Sequence, residues 1–316
     1  MEFLKSIQLF FVRTRFREPR VFMSTERIFI IGATGFLGAH AVRRCAEGFD
    51  VFTGSRAAAT GPESVQIDIT DQASVDAAFQ QVEPDTVLLL SALSDIDRCQ
   101  AEPDQAFAIN VRGPGYVASA CVRSNARLLF TSSGAVFDGR KHGYTEEDAP
   151  TPLSVYGETK ARAEAAILAL APSAIILRFG LVVGFAGKQG TNAMLDSLST
   201  RWASGLSVAT PTFEYRNPID AGALSSFMLE LLRNQDARGI FHAGASDSIS
   251  RYELNVKFAE RMGYPRDCVL AQTEPTPGRA PRGLDHFLLT DKLRTVCRTP
   301  IPSCDQVIAR CFDAVA

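Results

Sequence analysis

From residue 27 onward, short runs of consecutive apolar residues alternate with longer stretches whose apolar positions recur every three or four residues. RIFIIG is the first such run, closed by Gly32, and GAHAVRRCAEG after it has helical spacing. FDVFTGSR and VQIDITD read as the second and third strands, and QASVDAAFQQVEP as a helix closed by Pro84. DTVLLLSAL is a strand with no polar face, PDQAFAINVRGPGYVASACVRS one helix, and ARLLFTSSGAVFDG the next strand. VYGETKARAEAAILALAP then reads as a helix and SAIILRFGLVVG as a strand. Strands that are continuous apolar runs are buried on both faces, and their alternation with helices makes the sheet parallel. The pattern predicts an α/β chain with a Rossmann-type doubly wound parallel sheet over residues 25–184. Over residues 185–316 the alternation turns irregular and richer in Pro and Gly. A smaller C-terminal lobe is expected there, with part of the chain returning to the main sheet.

The first residues stand apart. MEFLKSIQLFFVRTRFREPRVF carries five basic and two acidic residues around a short apolar patch. No uninterrupted run approaches the ~20 apolar residues of a membrane-spanning helix. The patch is also too short and too flanked by charge for a secretory signal. Residues 1–24 are therefore expected to be an extension, disordered or targeting, with Met23 opening the compact chain. An Arg-rich transit peptide is the alternative, and Glu2 and Glu18 weigh against it.

The 316 residues are 46% hydrophobic and 22% charged, a globular composition with material for a large core. A formal charge of −2 gives no global field for nucleic acid or a membrane surface, so neither is expected as a partner. Seven cysteines are scattered without a CxxC pair, which fits a reducing, cytoplasmic compartment better than a disulfide framework or a zinc site. The four histidines have no metal-ligating spacing, and each reads as an ordinary core or surface residue; no metal is expected.

Candidate chemistry begins at IFIIGATGFLG, where Gly32, Gly35 and Gly38 follow a strand and open a helix. The first glycine permits a tight turn, the second lets a pyrophosphate approach the backbone, and the third allows close helix–strand packing. The spacing is GxxGxxG. At the end of the second strand TGSRAAA offers Ser55 and Arg56 where an acidic residue would favour NAD. A hydroxyl and a planar fork of charged donors suit a 2′-phosphate, so NADP(H) is expected in preference to NAD(H). An Arg56 that merely solvates a loop is the competing reading. Asp68 is placed to reach the adenine amino group or, equally, to cap the next helix.

SVYGETKARAE puts Tyr156 and Lys160 one turn apart on one helix face. Taken with the glycine triplet, in this order and element context, Tyr156-Gly157-Glu158-Thr159-Lys160 resembles the extended short-chain dehydrogenase/reductase family over residues 27 to about 300. Ketone reduction needs a hydride on carbon and a proton on oxygen. A tyrosine near its usual pKa of about 10 exchanges protons poorly at neutral pH, and a lysine ammonium one turn away would lower that value. Lys160 would also bond the nicotinamide ribose. The resemblance implies that Ser133, at the end of the preceding strand in FTSSGAVFDG, holds the substrate carbonyl beside Tyr156, and that Asn110 supports the site. Ser132 reads as a strand-end hydroxyl bonded to backbone. The expected cofactor-binding set is Gly32, Thr34, Gly35, Phe36, Leu37, Gly38, Ser55, Arg56, Asp68, Ile69, Ala92, Asn110, Tyr156, Lys160 and Phe179.

SALSDIDRCQAEPDQAFAIN, SSGAVFDGRKHGYTEEDAPTPLSVYGETKARAE and GRAPRGLDHFLLTDKL are similar to segments of dTDP-4-dehydrorhamnose reductases and their relatives. That implies a 4-keto nucleotide sugar reduced by NAD(P)H, and a C-terminal lobe that binds substrate. Ser94, Lys188, Asn192, Arg216 and Arg282 are the expected substrate-binding residues, with Arg279 a further phosphate candidate. Two departures stand out: Ser133-Gly134-Ala135 replaces Thr-Asp-Tyr, and TFEYRNPID replaces a segment near the substrate base and sugar. Gly134 and Ala135 cannot transfer protons, which argues against a nucleotide-sugar dehydratase. Two alternatives to the reductase stay open. One is a nucleotide-sugar epimerase, against which Arg56 speaks; the other is a non-catalytic cofactor-binding subunit like the regulatory subunit of methionine adenosyltransferase. A homodimer is compatible with the sequence.

Overall fold

The computed structural model describes residues 25–186 and 194–313. Lys188, Asn192 and the extension 1–24 lie outside the described residues. The chain opens with β1 (Arg27–Ile31), α1 (Phe36–Cys45), β2 (Asp50–Ser55), β3 (Ser64–Gln66), α2 (Gln72–Val82) and β4 (Thr86–Leu89). Two short helices, α3 (Ile96–Ala101) and α4 (Pro103–Phe107), lead through a π-helical turn at Ala108–Arg112 into α5 (Gly113–Ser124). Then come β5 (Arg127–Ser133), α6 (Val155–Leu170), β6 (Ile175–Phe179) and the two-residue β7 (Val182–Val183).

The later chain alternates between layers. It runs through α7 (Met194–Ala203), β8 (Val208–Pro211), β9 (Tyr215–Arg216), β10 (Ile219–Asp220) and α8 (Ala221–Arg233) before β11 (Gly239–Ala243). It finishes with β12 (Ile249–Ser250), α9 (Arg251–Arg261), β13 (Val269–Gln272), β14 (Asp285–His286), α10 (Asp291–Val296) and α11 (Cys304–Asp313).

Seven parallel strands form the central sheet in the order β11-β6-β5-β4-β1-β2-β3. One face packs Ile28, Ile30, Leu88 and Leu129 against α1 and α8. The other packs Phe29, Ile31, Val87 and Phe130 against α2, α5 and α6. Successive strand residues enter opposite cores, which is why the strands read as unbroken apolar runs. The late strand β11 joins this sheet beside β6, and β10 pairs with β7 at its rim. A third core, built on Leu195, Trp202, Leu254, Phe258 and Val307, sits outside the sheet in the C-terminal lobe.

The single helix expected over 103–124 is interrupted. Pro114 has no N–H to donate to the carbonyl four residues earlier, at Asn110, and the backbone widens into the π turn there.

Candidate active site

Parallel strands all end on one edge of the sheet, and the crevice beyond β1, β4, β5 and β6 is a cleft of about 610 Å³. Gly32 follows β1 at φ +96°, and a Cβ there would lie 2.7 Å from the Ser91 nitrogen. A Cβ on Gly38 would overlap the Gly32 carbonyl oxygen, so α1 approaches β1 only because that position has no side chain. At Gly35 the situation differs: the nearest atom to an added Cβ is the Gly32 oxygen, 3.5 Å away. Packing within the protein requires the first and third glycines, whereas the second leaves bare backbone facing the cleft at the start of α1.

The segment that carries Tyr156 and Lys160 is assembled by two local devices. Ser154 caps α6, its hydroxyl accepting the Gly157 N–H at 3.2 Å. Gly157 lies so close to the turn after β5 that a Cβ would overlap the Ala135 carbonyl oxygen. The first turn of α6 is thereby seated against Ser133. Ser133, Tyr156 and Lys160 all line the cleft with Gly32, Gly35, Phe36, Leu37, Gly38, Ala92, Ser94 and Phe179.

Burial pushes the Tyr156 phenol up to about 12, with a hydrogen bond to Ser133 acting the other way. Lys160 is 2% exposed, and burial brings its ammonium down to about 7. Its Nζ donates to the Thr131 carbonyl at 2.6 Å and lies 4.1 Å from the centre of the Phe130 ring. The group drawing the Tyr156 phenol downward is the Ser133 hydroxyl. Ser132 also differs from expectation, since its hydroxyl donates to the Glu164 carboxylate instead of bonding backbone.

Asn110 stands behind the cleft. Its amide Nδ2 donates to the Leu93 carbonyl (3.0 Å) and the Thr159 hydroxyl (3.1 Å), and its Oδ1 accepts the Leu93 N–H at 2.8 Å. The π turn thus ties the loop after β4 to α6. Asp68 accepts from the Thr70 N–H and hydroxyl, which hold its carboxyl below the usual range. The cap of α2 is Asp71, so the capping alternative for Asp68 is displaced by three residues. Ile69 is core, packed against Gly113. Thr34 and Arg56 are exposed and Ser55 half-buried at the end of β2. Among the described residues the Arg56 guanidinium makes no hydrogen bond or ion pair; only its backbone carbonyl is held, by Gln66.

At the far end of the cleft the expected arginines are already engaged. Arg282 donates to both Asp97 oxygens at 3.1 and 2.9 Å, and Arg279 donates to the same carboxylate at 3.0 and 2.9 Å. Asp97 is held well below the ordinary carboxylate range, chiefly by Arg282. Arg216 is 8% exposed and donates to the carbonyls of Tyr215, Gly283 and Leu284 and to Glu214. These three side chains bind the segments around β9 and β14 to each other and to α3.

Two cleft residues escaped the sequence reading. Arg251, at the start of α9, has a buried Nε that meets no partner among the described residues, where its Nη2 donates only to the Met194 sulfur at 3.7 Å. His286 also has a buried, unpartnered Nε2, and burial brings its imidazole down to about 3, so it is neutral. It lies over Gly134, filling the side where a larger residue at that position would project. Neither residue carried a spacing signal; each is defined by contacts across long stretches of chain.

A model of the family described as the RmlD substrate binding domain matches residues 26–316. The probable low-salt glycan biosynthesis reductase Agl14 of Haloferax volcanii is 30% identical over 240 residues, covering 74% of this chain and 80% of that protein. Methionine adenosyltransferase 2 subunit beta of Xenopus tropicalis is 26% identical over 275 residues, covering 86% and 82%. In structure, a dTDP-4-dehydrorhamnose reductase of Bacillus anthracis in complex with NADP superposes with a TM-score of 0.83 at 23% identity, covering 92% and 99% of the two chains.

Proposed function

The chain belongs to the RmlD substrate binding domain family, within the extended short-chain dehydrogenase/reductase type of NAD(P)-dependent oxidoreductases, and from that premise we propose that it reduces a 4-keto nucleotide sugar or similar ketone with NADPH. The observation that carries this reading is the convergence of the glycine turn and the Ser133, Tyr156 and Lys160 side chains on one cleft. Residues 25–184 would hold the cofactor and residues 185–316 mainly the substrate. The bare backbone at Gly35, at the helix terminus, fits a pyrophosphate, and the unengaged Arg56 fits a 2′-phosphate.

A bound dihydronicotinamide supplies the hydride that reduces the carbonyl carbon. Ser133 holds the carbonyl oxygen by hydrogen bonding. Tyr156, whose phenol keeps its proton throughout the neutral range, delivers it to that oxygen. Lys160 orients the ribose from its place beside Thr131. The Arg251 guanidinium is the charged donor left for an anionic substrate group, because Arg216, Arg279 and Arg282 serve the protein itself.

Steady-state assays with a panel of 4-keto nucleotide sugars should consume NADPH. Tyr156→Phe should lower kcat by about 10²- to 10⁴-fold while leaving cofactor binding intact. Fluorescence titration should show NADPH bound more tightly than NADH, and Arg56→Ala should weaken NADPH by roughly 10-fold or more. Tighter binding of NADH refutes the use made of Arg56 and returns weight to an epimerase. The likeness to methionine adenosyltransferase 2 subunit beta supports a second reading, a cofactor-binding regulatory subunit. A wild-type protein that turns over no ketone yet co-purifies with a partner enzyme favours that one. No helix among the described residues is long and apolar enough to cross a membrane. The free cysteines, mostly buried, accord with the cytoplasm.

A further inference from the structure

The ends of β5, β6 and β11 set Ser132, Arg178 and His242 in one row, because the register pairs Ser132 with Arg178 and Arg178 with His242. Their exposures are 2%, 1% and 0%. Against this row α6 lays Glu164, itself 3% exposed. Its carboxylate accepts from Arg178 Nε at 3.0 and 3.1 Å, from Arg178 Nη2 at 2.6 Å, and from the Ser132 hydroxyl. Arg178 Nη1 faces His242 Nε2 at 3.4 Å, while His242 Nδ1 lies 3.2 Å from the Tyr144 carbonyl. The guanidinium carbon stands 5.1 Å from the centre of the Phe137 ring.

A buried ion pair is a poor source of net stability, since desolvating both charges offsets most of their attraction. Its position here serves another purpose. Glu164 is one helical turn from Lys160 on α6, and the serine it holds is the chain neighbour of Ser133. We propose that Glu164, paired with Arg178, is a positioning residue that fixes the Ser133 strand against the Tyr156–Lys160 helix and favours the charged form of Lys160 inside the cleft. Its effect on turnover rests on the reductase reading; its effect on Lys160 does not.

The surroundings of Lys160 are few. Burial lowers its ammonium, and Glu164 is the leading group acting against burial, followed by the Cys99 thiol of α3. Tyr156 on α6 and the Thr131 carbonyl and Phe130 ring on β5 complete the shell. Around Glu164 stand Arg178 from β6 and Ser132 from β5. Beyond Arg178 lie His242, held neutral by burial and by Arg178, and Glu146, whose carboxylate accepts the His242 N–H at 3.0 Å.

The test uses the full chain carrying Glu164→Gln or Glu164→Gln/Arg178→Met; the second variant removes the charge that the first leaves unpaired. The Lys160 titration is followed by NMR of ¹³C-labelled lysine without added nicotinamide nucleotide, and its signal is assigned with Lys160→Arg. Its midpoint should fall by about half a pH unit or more in both variants. In turnover, kcat should drop about tenfold with KM for the ketone unchanged, and the alkaline limb of kcat should move to lower pH. Glu164→Asp should recover part of the loss. An unmoved Lys160 midpoint in the double variant overturns the proposal, as does a wild-type kcat and pH profile accompanied only by a changed Tm. If neither Glu164 variant folds, Ser132→Ala decides: lowered kcat at unchanged Tm supports the tether, and unchanged kcat overturns it. A wild-type protein without ketone turnover would sink the reductase reading, while the Lys160 shift would still be judged on its own.

Discussion

At neutral pH burial leaves Tyr156 protonated and Lys160 near its midpoint, because burial disfavours the charged form and so shifts the two ends of the YxxxK motif in opposite directions. An unfolded lysine titrates near about 10.4, well above the folded value. Between about pH 7 and 10 the unfolded chain holds a proton that the folded chain lacks, and this residue makes stability rise with pH. Below about pH 7 both states hold it, and the buried ammonium weighs fully on the folded state. Urea unfolding of wild type and Lys160→Met at about pH 6 and about pH 9 should therefore show wild type gaining on the variant as pH rises. A pH-independent difference would refute the depressed value. The motif itself was legible from its spacing. How deeply each member is buried, and that Lys160 turns to the Thr131 carbonyl, depend on β5, which local spacing does not report.

Helix α6 illustrates what a single element must satisfy to bring Tyr156 beside Ser133. Its cap at Ser154 orients the first turn, and Gly157 admits that turn to the backbone after β5. Gly157→Ala would force helix and turn apart, costing about 1–3 kcal/mol as overpacking does. The expected outcome is a lower Tm and a kcat loss larger than the stability change explains, measured at a temperature where the variant is fully folded. Unaltered kcat would mean that Ser133 and Tyr156 tolerate separation. Strands and helices around this element were readable because a parallel sheet buried on both faces writes itself as apolar runs. The π turn at Ala108–Arg112 was not, since its period differs by one residue over a single turn. It is the feature that aims Asn110 at Leu93 and Thr159.

Over the whole molecule, the glycine turn at one end of the cleft could be read from three glycines, whereas the arrangement of arginines at the other end could not. Arg216, Arg279 and Arg282 have the right charge, but their partners Glu214, Asp97 and the Gly283 carbonyl are set by tertiary contacts, mostly between segments distant in sequence. Arg251 gave no signal and, among the described residues, is the arginine lining this cleft that has a buried polar atom unmet. Arg251→Met should raise KM for a nucleotide-diphosphate substrate roughly tenfold or more, with kcat little changed and a ketone lacking phosphate unaffected. Equal loss with both ketones would assign Arg251 to folding instead.

The clamp of Asp97 on Arg279 and Arg282, together with the pairing of Asp285–His286 with Tyr215–Arg216, also fixes an order of events during synthesis. Chains fold from the N-terminus as they emerge, at about 5–20 residues per second. β1 to β6, the glycine turn and the Tyr156 helix all precede residue 180, so the nascent chain carries them before α8 and β11 complete the sheet and cover its second face. The part of the cleft lined by Pro281, Arg282, Gly283 and His286 arrives only when residues 279–286 leave the ribosome and Asp97 captures them. Until then Asp97 is an open hook, and the cleft around Tyr156 lacks one of its walls.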